Sequence, residues 1–393
     1  MTETHTELGP PLDGEVAATG VPELDAALGG LFWGDNVVFS VTDGATAAPF
    51  YRAVAASDVT YDHRLAVRLQ DAPGEHAGFD ILDASPEGKL AQPAPLLHAV
   101  FDRCRGLERN LILFDGLDVM AARWGADVAA RFFATCCPQL LELGAIAYWS
   151  MSASDGHVAL RRTVEEVTQC IFLLDQGRLR ISKAEGRPPG IQGSVFRCTE
   201  TDGLPELTPA PMVARIGNAL RAARLQRNLS QSDLARIAGV SASAISQAER
   251  GQRGLSLETV LGLATGLNVT LDELLRGEVA TGYRLGRRRH PPRHRVADRS
   301  EPLPLLDDRH AGLRVYLVRI PRRGSAEPHI RHKGIELVTV AGGLVQVLLE
   351  TGRPVLTAGE ALLLDETPIA GWRNLGAGEA TLFWTLRDPR RDA

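Results

Sequence analysis

A chain of 393 residues with 44% hydrophobic and 23% charged side chains has a globular composition and is long enough for two or three ordinary cores. No apolar run reaches the ~18 residues a membrane-spanning helix requires, and the opening MTETHTELGPPLDGEV lacks the apolar stretch of a secretory signal, so a cytoplasmic protein with no membrane partner is expected. The net charge of −5 is unevenly spread: residues 1–211 carry 16 basic and 29 acidic side chains, residues 212–300 carry 15 and 7, and residues 301–393 carry 12 of each. A basic middle between acidic and neutral flanks is the footprint of a polyanion-binding module.

Five cysteines, odd in number and without Cys-x-x-Cys spacing, fit a reducing compartment. Cys136 and Cys137 are adjacent, which admits a redox sensor, but both sit in the apolar pattern RFFATCCPQLLEL, where free cysteine usually just packs.

Residues 1–17 are read as a disordered tail. From residue 18 to about 205, strand-like runs (NVVFSV, RLAVRL, LILFDGL, AIAYWSM) alternate with helical patterns such as LLHAVFDRCRGL, which implies a parallel sheet covered by helices. The stretch TGVPELDAALGGLFWGDNVVFSV resembles the entry to a KaiC or RecA-type ATPase domain. On that resemblance NLILFDGL is the Walker B strand ending at Asp115, and CIFLLDQGRLRISKAEGRPPG is the following hairpin. Where the phosphate loop belongs, the chain reads VTDGATAAPF. A working loop needs glycines for a backbone cradle, a lysine for charge and a hydroxyl for magnesium. Only Gly44 survives; Ala47 and Ala48 stand at the lysine and hydroxyl positions, and no basic residue follows before Arg52. The expectation is a pseudo-ATPase without hydrolysis, with no nucleotide-binding residue assigned and nucleotide binding left open, that serves self-association or docking.

The segment LSQSDLARIAGVSASAISQAERG reads as two short helices. Ser230 caps the first, Asp233 favours its positive end, and Leu234, Ala235 and Ile237 face inward. Gly239 stops it, Ser241 caps the second, and Val240 and Ile245 pin the pair together. With the flanks VARIGNALRAARLQRN and SLETVLGLATGLNVTLDELLRG, residues 212–277 resemble the XRE-family, lambda-repressor-like helix-turn-helix domain. That resemblance implies double-stranded DNA as partner. Ala242, Ser243, Ser246 and Gln247 are then candidates for base edges, Gln231 for phosphate, and Ser241, Arg250 and Arg253 for the same interface. Ser241 is a helix cap with or without DNA, and Glu249 and Arg250 are equally open to pairing with neighbouring helices. Beyond it, residues 278–305 form an Arg-rich linker that is either a spacer or an auxiliary DNA arm.

From residue 306 to 390 short β-like runs separated by Gly and Pro point to a barrel or jelly roll. GSAEPHIRHKGIELVTVAGG and GEALLLDETPIAGWRN resemble the cupin domain of XRE–cupin regulators. Gly324, His332, Glu336 and Gly343 match the first motif of that family. Ile330 takes the place of its first histidine, with His329 displaced to the other strand face, and Ala370 that of the histidine in the second motif. Two of four ligands are too few for a tight metal site, so no metal and no cofactor are expected. His332 and Glu336 are read as a hydrogen-bonded pair in the barrel mouth, with Trp372 and Asn374 completing a candidate pocket for a small-molecule effector.

The fold class expected is therefore multidomain: an α/β RecA-like domain, an all-α helix-turn-helix and an all-β cupin barrel. The expected function is a sequence-specific transcriptional regulator and not an enzyme, acting as a dimer because one recognition helix gives too few contacts. Rivals are a protein-interaction scaffold and, with chemical groups missing at the decisive positions, a cupin enzyme or an ATP-driven remodeller.

Overall fold

In a computed structural model of the protein, the described residues are 16–42, 44–70, 78–114, 116–153, 157–187, 191–209, 212–276, 285–286, 301–308, 311–330, 332, 334–365 and 367–388. Asp115, most of the Arg-rich linker and residues 1–15 lie outside them. Contacts divide the chain into two units, one reaching to residue 282 and the other comprising mainly the residues after it.

The first unit begins with an α/β domain in which α1 (Pro22–Leu28), β1 (Asn36–Val41), α2 (Ala48–Ala56), β2 (His63–Arg68), β3 (Asp80–Asp83), α3 (Pro93–Cys104), β4 (Asn110–Phe114), α4 (Leu117–Trp124), α5 (Ala126–Leu143), β5 (Ile146–Ser152), α6 (Val158–Val167) and β6 (Cys170–Asp175) follow one another. β3-β2-β4-β5-β1-β6 run parallel, in that order. Strands buried on both faces read as near-continuous apolar runs, as VVF in β1 and LILF in β4 do. Val38, Leu65, Ile112, Phe114 and Trp149 pack under α3–α6, and Val37, Phe39, Leu111, Tyr148 and Phe172 under α1 and α2. Phe114 and Trp149 stack with ring centroids 3.6 Å apart.

The sheet does not stop there. β7 (Arg178–Ala184), β8 (Val195–Thr201) and β9 (Leu204–Pro209) add three antiparallel strands, so the expected parallel sheet is mixed. The two-residue turn Gln176-Gly177, both at positive φ, is too short for a parallel crossover and forces reversal. At the other end Ala17 is fully buried and pairs with Leu31, so order reaches further back than the expected boundary at residue 18.

Two long-range polar ties hold this domain. The Asn36 amide donates to the Cys137 carbonyl and Gln169, and accepts from Trp149 Nε1 at 3.1 Å, joining β1 to α5 and β5. Arg187 and Asp35, both with fully buried side chains, pair at 2.5 Å. The guanidinium also donates to the Gly30 carbonyl and lies 4.0 Å over the Phe32 ring. Burial works against its charge, yet Asp35 keeps it protonated above its ordinary value. Cys136 and Cys137 are fully buried, and burial pushes the Cys136 thiol well above its usual range, which makes a packing role the physical reading.

Five helices complete the unit: α7 (Met212–Gln226), α8 (Gln231–Ala238), α9 (Ala242–Glu249), α10 (Leu257–Leu267) and α11 (Leu271–Arg276). Leu220, Leu234, Ile245, Leu263 and Leu267 form their core. Glycine sets two crossings: a Cβ on Gly217 would lie 1.9 Å from the Ala248 carbonyl oxygen, and one on Gly266 would lie 2.2 Å from Ile237. Ile237, expected inside, is 37% exposed because its side chain covers Gly266 at the rim.

Among its described residues the second unit is all β: β10 (Leu303–Asp308), β11 (Leu313–Ile320), β12 (Ser325–Ala326), β13 (Ile335–Gly342), β14 (Leu344–Leu348), β15 (Val355–Thr357), β16 (Ala361–Asp365), β17 (Gly371–Asn374) and β18 (Ala380–Arg387). Strands β10-β11-β18-β13-β16 form one antiparallel sheet and β12-β17-β14-β15 another. Val318, Val338, Val340 and Trp384 of the first meet Val345, Val347, Leu356 and Trp372 of the second in one core, as alternating patterns require. Among the described residues no strand pairing joins the two sheets into the closed barrel that was expected.

Candidate nucleic-acid interface

Ser230 and Asp233 build a reciprocal cap at the start of α8: the Asp233 amide donates to Ser230 Oγ at 3.1 Å, and the Ser230 amide to Asp233 Oδ2 at 2.9 Å. Hydrogen bonds from Ser230 and Arg236 hold the Asp233 carboxyl below its ordinary value. Gly239 at φ 65° ends the helix, and Ser241 Oγ accepts from the Ala244 amide at 3.2 Å to start α9. Both caps are as the sequence indicates.

Behind α9 lies a polar anchor that the sequence left open. Glu249, 3% exposed, takes a two-pronged ion pair from Arg224 of α7, with contacts of 2.6 and 3.1 Å, and accepts from Gln231 Nε2 at 2.8 Å. Hydrogen bonding to Glu249 raises the Arg224 pKa. One carboxylate thus ties α7, the start of α8 and the end of α9 into a fixed arrangement. Gln231, a candidate phosphate contact, spends one amide hydrogen on that anchor. Arg250 donates to the Ser246 carbonyl at 3.2 Å and, like Arg253, is exposed.

The N-terminal half of α9 faces outward. Ser241, Ala242 and Ser243 are exposed, Ser246 and Gln247 are half-buried, and Ile245 and Ala248 turn into the core. All the expected base-reading positions therefore share one side of one helix. Exposed residues there are small, which lets a duplex approach the helix backbone closely.

The other candidate sites are chemically poorer. After β1, Gly44 turns at φ 81°, Ala47 is buried, and the Ala48 amide is satisfied by Thr46 Oγ1 at 3.2 Å. Arg52, the nearest basic residue, donates to the Gly203 carbonyl at 2.7 Å and to Glu200 at 3.1 Å.

In the β unit the expected His332–Glu336 hydrogen bond is corrected. His332 Nε2 donates to the Arg387 carbonyl at 2.9 Å, and its Nδ1 accepts from Arg314 at 3.3 Å. Glu336, 2% exposed on the inner face of β13, instead accepts from Trp384 Nε1 at 2.8 Å. Burial raises its carboxyl pKa, opposed by that bond and by the Ile369 amide. The two residues were matched by a motif, but the backbone carbonyl at the end of β18 claims the histidine first. Ile330 packs against the core, while His329 is exposed with its ring 5.2 Å from Tyr316. These residues do not fit a metal: both His332 nitrogens are engaged, and among the described residues no three His, Cys, Asp or Glu side chains converge.

Two further pocket expectations are corrected by burial. Asn374, 1% exposed, donates to the carbonyls of Ile320, Pro321 and Gly378 and accepts from the Gly376 amide, so it fixes turns and offers a ligand little. Trp372 is fully buried, edge-on to Trp384 at 5.2 Å, an interior packing residue with an unpartnered indole N–H and no wall at a mouth.

Comparison with known proteins places the clearest likeness on the helical segment. No curated protein matches the chain. Among solved structures, an HTH_3 family transcriptional regulator from Vibrio cholerae is 20% identical, with 46% of this chain and 98% of that one covered and a TM-score of 0.21. The restriction-modification controller protein C.AhdI from Aeromonas hydrophila is 40% identical, covering 16% and 94%, at a TM-score of 0.15. The Cnp3 cupin domain from Schizosaccharomyces pombe is 13% identical, covering 22% and 60%, at 0.20. Residues 220–274 match the family model described as Helix-turn-helix, so this part of the chain is a helix-turn-helix domain.

Proposed function

We propose that the protein is a sequence-specific, double-stranded-DNA-binding transcriptional regulator that acts as a homodimer. The observation carrying this reading is the outward N-terminal half of α9, capped by Ser241 and held from behind by the Arg224–Glu249–Gln231 anchor. A helix so fixed and so little covered by bulky side chains suits the major groove, where Gln247 pairs bidentately with adenine while Gln231, Arg250 and Arg253 hold phosphates. Eight helical residues give few base contacts, and two-fold pairing doubles them.

The α/β domain is read as a pseudo-ATPase descended from a KaiC-like fold. Its support is the loop after β1, where alanines replace the charged and hydroxyl groups phosphoryl transfer requires. The β unit is read as a cupin-type sensor of a small molecule, without a metal and without enzymatic activity, supported by its two facing antiparallel sheets.

The test is a gel shift of the full chain on genomic fragments, repeated with Gln247→Ala and Arg250→Ala. The regulator reading expects Gln247→Ala to relax sequence preference and Arg250→Ala to weaken all duplexes alike. Absence of binding even at low salt refutes it in favour of a scaffold that binds protein partners.

A further inference from the structure

β7 and β8 lie beyond the last parallel strand, and their two faces differ sharply. On one, Leu179, Ile181 and Phe196 join the core under α1 and α2. The other carries Arg178, Arg180 and Arg197, and the register sets Arg178 directly opposite Arg197. Like charges directly opposed across a sheet are destabilising, so a fold that keeps them needs a counter-charge from somewhere.

Within the domain that counter-charge is scarce. The helices on this side reach only as far as Lys183, whose ammonium donates to the Glu165 carbonyl of α6 at 2.7 Å. Arg178 and Arg197 are exposed, and the Arg180 Nε is buried without a hydrogen-bond partner. Arg221 of α7, also exposed, adds a fourth charge: burial first, then Arg221 and Arg178 lower the Arg180 pKa, while Asp175 opposes them. Asp175 also accepts from Thr42 Oγ1 at 2.9 Å, and Glu206, two strands from β7, accepts from Thr201 at 3.1 Å. Among the described residues Arg178, Arg197 and Arg221 make no ion pair.

We propose that the face formed by Arg178, Arg180, Arg197 and Arg221 is a second duplex-DNA phosphate site, holding the DNA that flanks the base pairs read by α9. Arginine suits the task because its fork of donors matches phosphate oxygens. The link to α9 is mechanical: Arg221 shares α7 with Arg224, and the Arg224–Glu249 ion pair joins α7 to the end of α9. The α/β domain then works as a DNA clamp with its nucleotide chemistry gone. This inference rests on the DNA-binding reading above and adds to it a surface outside the helix-turn-helix.

The test is fluorescence anisotropy of the full chain on duplex DNA over a salt series, comparing wild type with Arg178→Gln/Arg197→Gln. Each lost phosphate contact flattens the slope of log K against log salt by about 1, so the double variant should lose about 2 and bind preferred and unrelated duplexes more weakly by the same factor. Arg162→Gln, which removes an exposed cation paired with Glu166 on α6, should leave the slope unchanged. Circular dichroism checks folding, and if the double variant unfolds, Arg221→Gln alone should flatten the slope by about 1. An unchanged slope in folded variants of a chain whose wild type binds DNA overturns the second site and spares the helix-turn-helix reading. A loss confined to duplex RNA of the same length overturns it as well. Failure of the wild type to bind DNA at low salt removes both readings together.

Discussion

The helix-turn-helix and the β unit each carry candidate polar residues and use them in opposite ways. On α9, Ser243 is exposed and Ser246 and Gln247 are half-buried beside it, and the polar groups that are consumed, Arg224 and Glu249, lie behind them as an anchor. In the β unit, His332, Glu336 and Asn374 are buried and each is satisfied by a backbone group or an indole. A motif match gives residue type and spacing in both cases. Whether a polar side chain remains available to a ligand depends on which neighbours reach it first, and that is decided by the fold.

If this contrast is right, removing a consumed group costs stability, whereas removing a free one costs recognition. The largest effect is expected for Arg187→Ala, which strands Asp35 as a fully buried charge. Breaking a buried pair in this way costs about 3–5 kcal/mol, readable as a lower urea midpoint for the α/β domain. Asn374→Ala should follow, destabilising the β unit by about 2 kcal/mol through the carbonyls and amide it leaves unpaired. If instead it leaves the melting temperature unchanged while abolishing effector binding, the assignment of Asn374 to turn fixing is wrong. Gln247→Ala should cost about 1–3 kcal/mol of discrimination between duplexes and leave the melting temperature in place.

The smallest effect is a pH dependence. Burial raises the folded-state pKa of Glu336, so the folded β unit holds that proton more tightly than the unfolded chain. The stability tied to the proton is present at pH below 4.5, the ordinary carboxyl value, and is lost as pH rises through the higher folded value. Glu336→Gln keeps an acceptor for Trp384 and removes the charge. It should flatten that part of the stability-versus-pH curve and raise the melting temperature at neutral pH.

What was legible in the sequence was what is encoded locally. The caps at Ser230 and Ser241 and the stop at Gly239 depend on residues within three or four positions, and all three stand where the pattern put them. Apolar runs such as NVVFSV announced buried parallel strands for the same reason. The hairpin of β6 and β7 at Gln176-Gly177 was legible, but the two antiparallel strands beyond it, β8 and β9, were not, because pairing partners are not written in a single strand. Arg187–Asp35 and Asn36–Gln169 join residues more than a hundred positions apart, and nothing in either segment names the other. The expected His332–Glu336 hydrogen bond failed at the same level: His332 stands four residues before Glu336, yet its partner is the carbonyl of Arg387.

The central claim is that the outward half of α9 is a surface for duplex DNA. Binding-site selection from random duplexes with the full chain, run in parallel on wild type and Gln247→Ala, tests it most directly. The account predicts an enriched motif with two-fold symmetry for the wild type and relaxed preference at one position of each half-site for the variant. No enrichment over input by the folded wild type at low salt would contradict it.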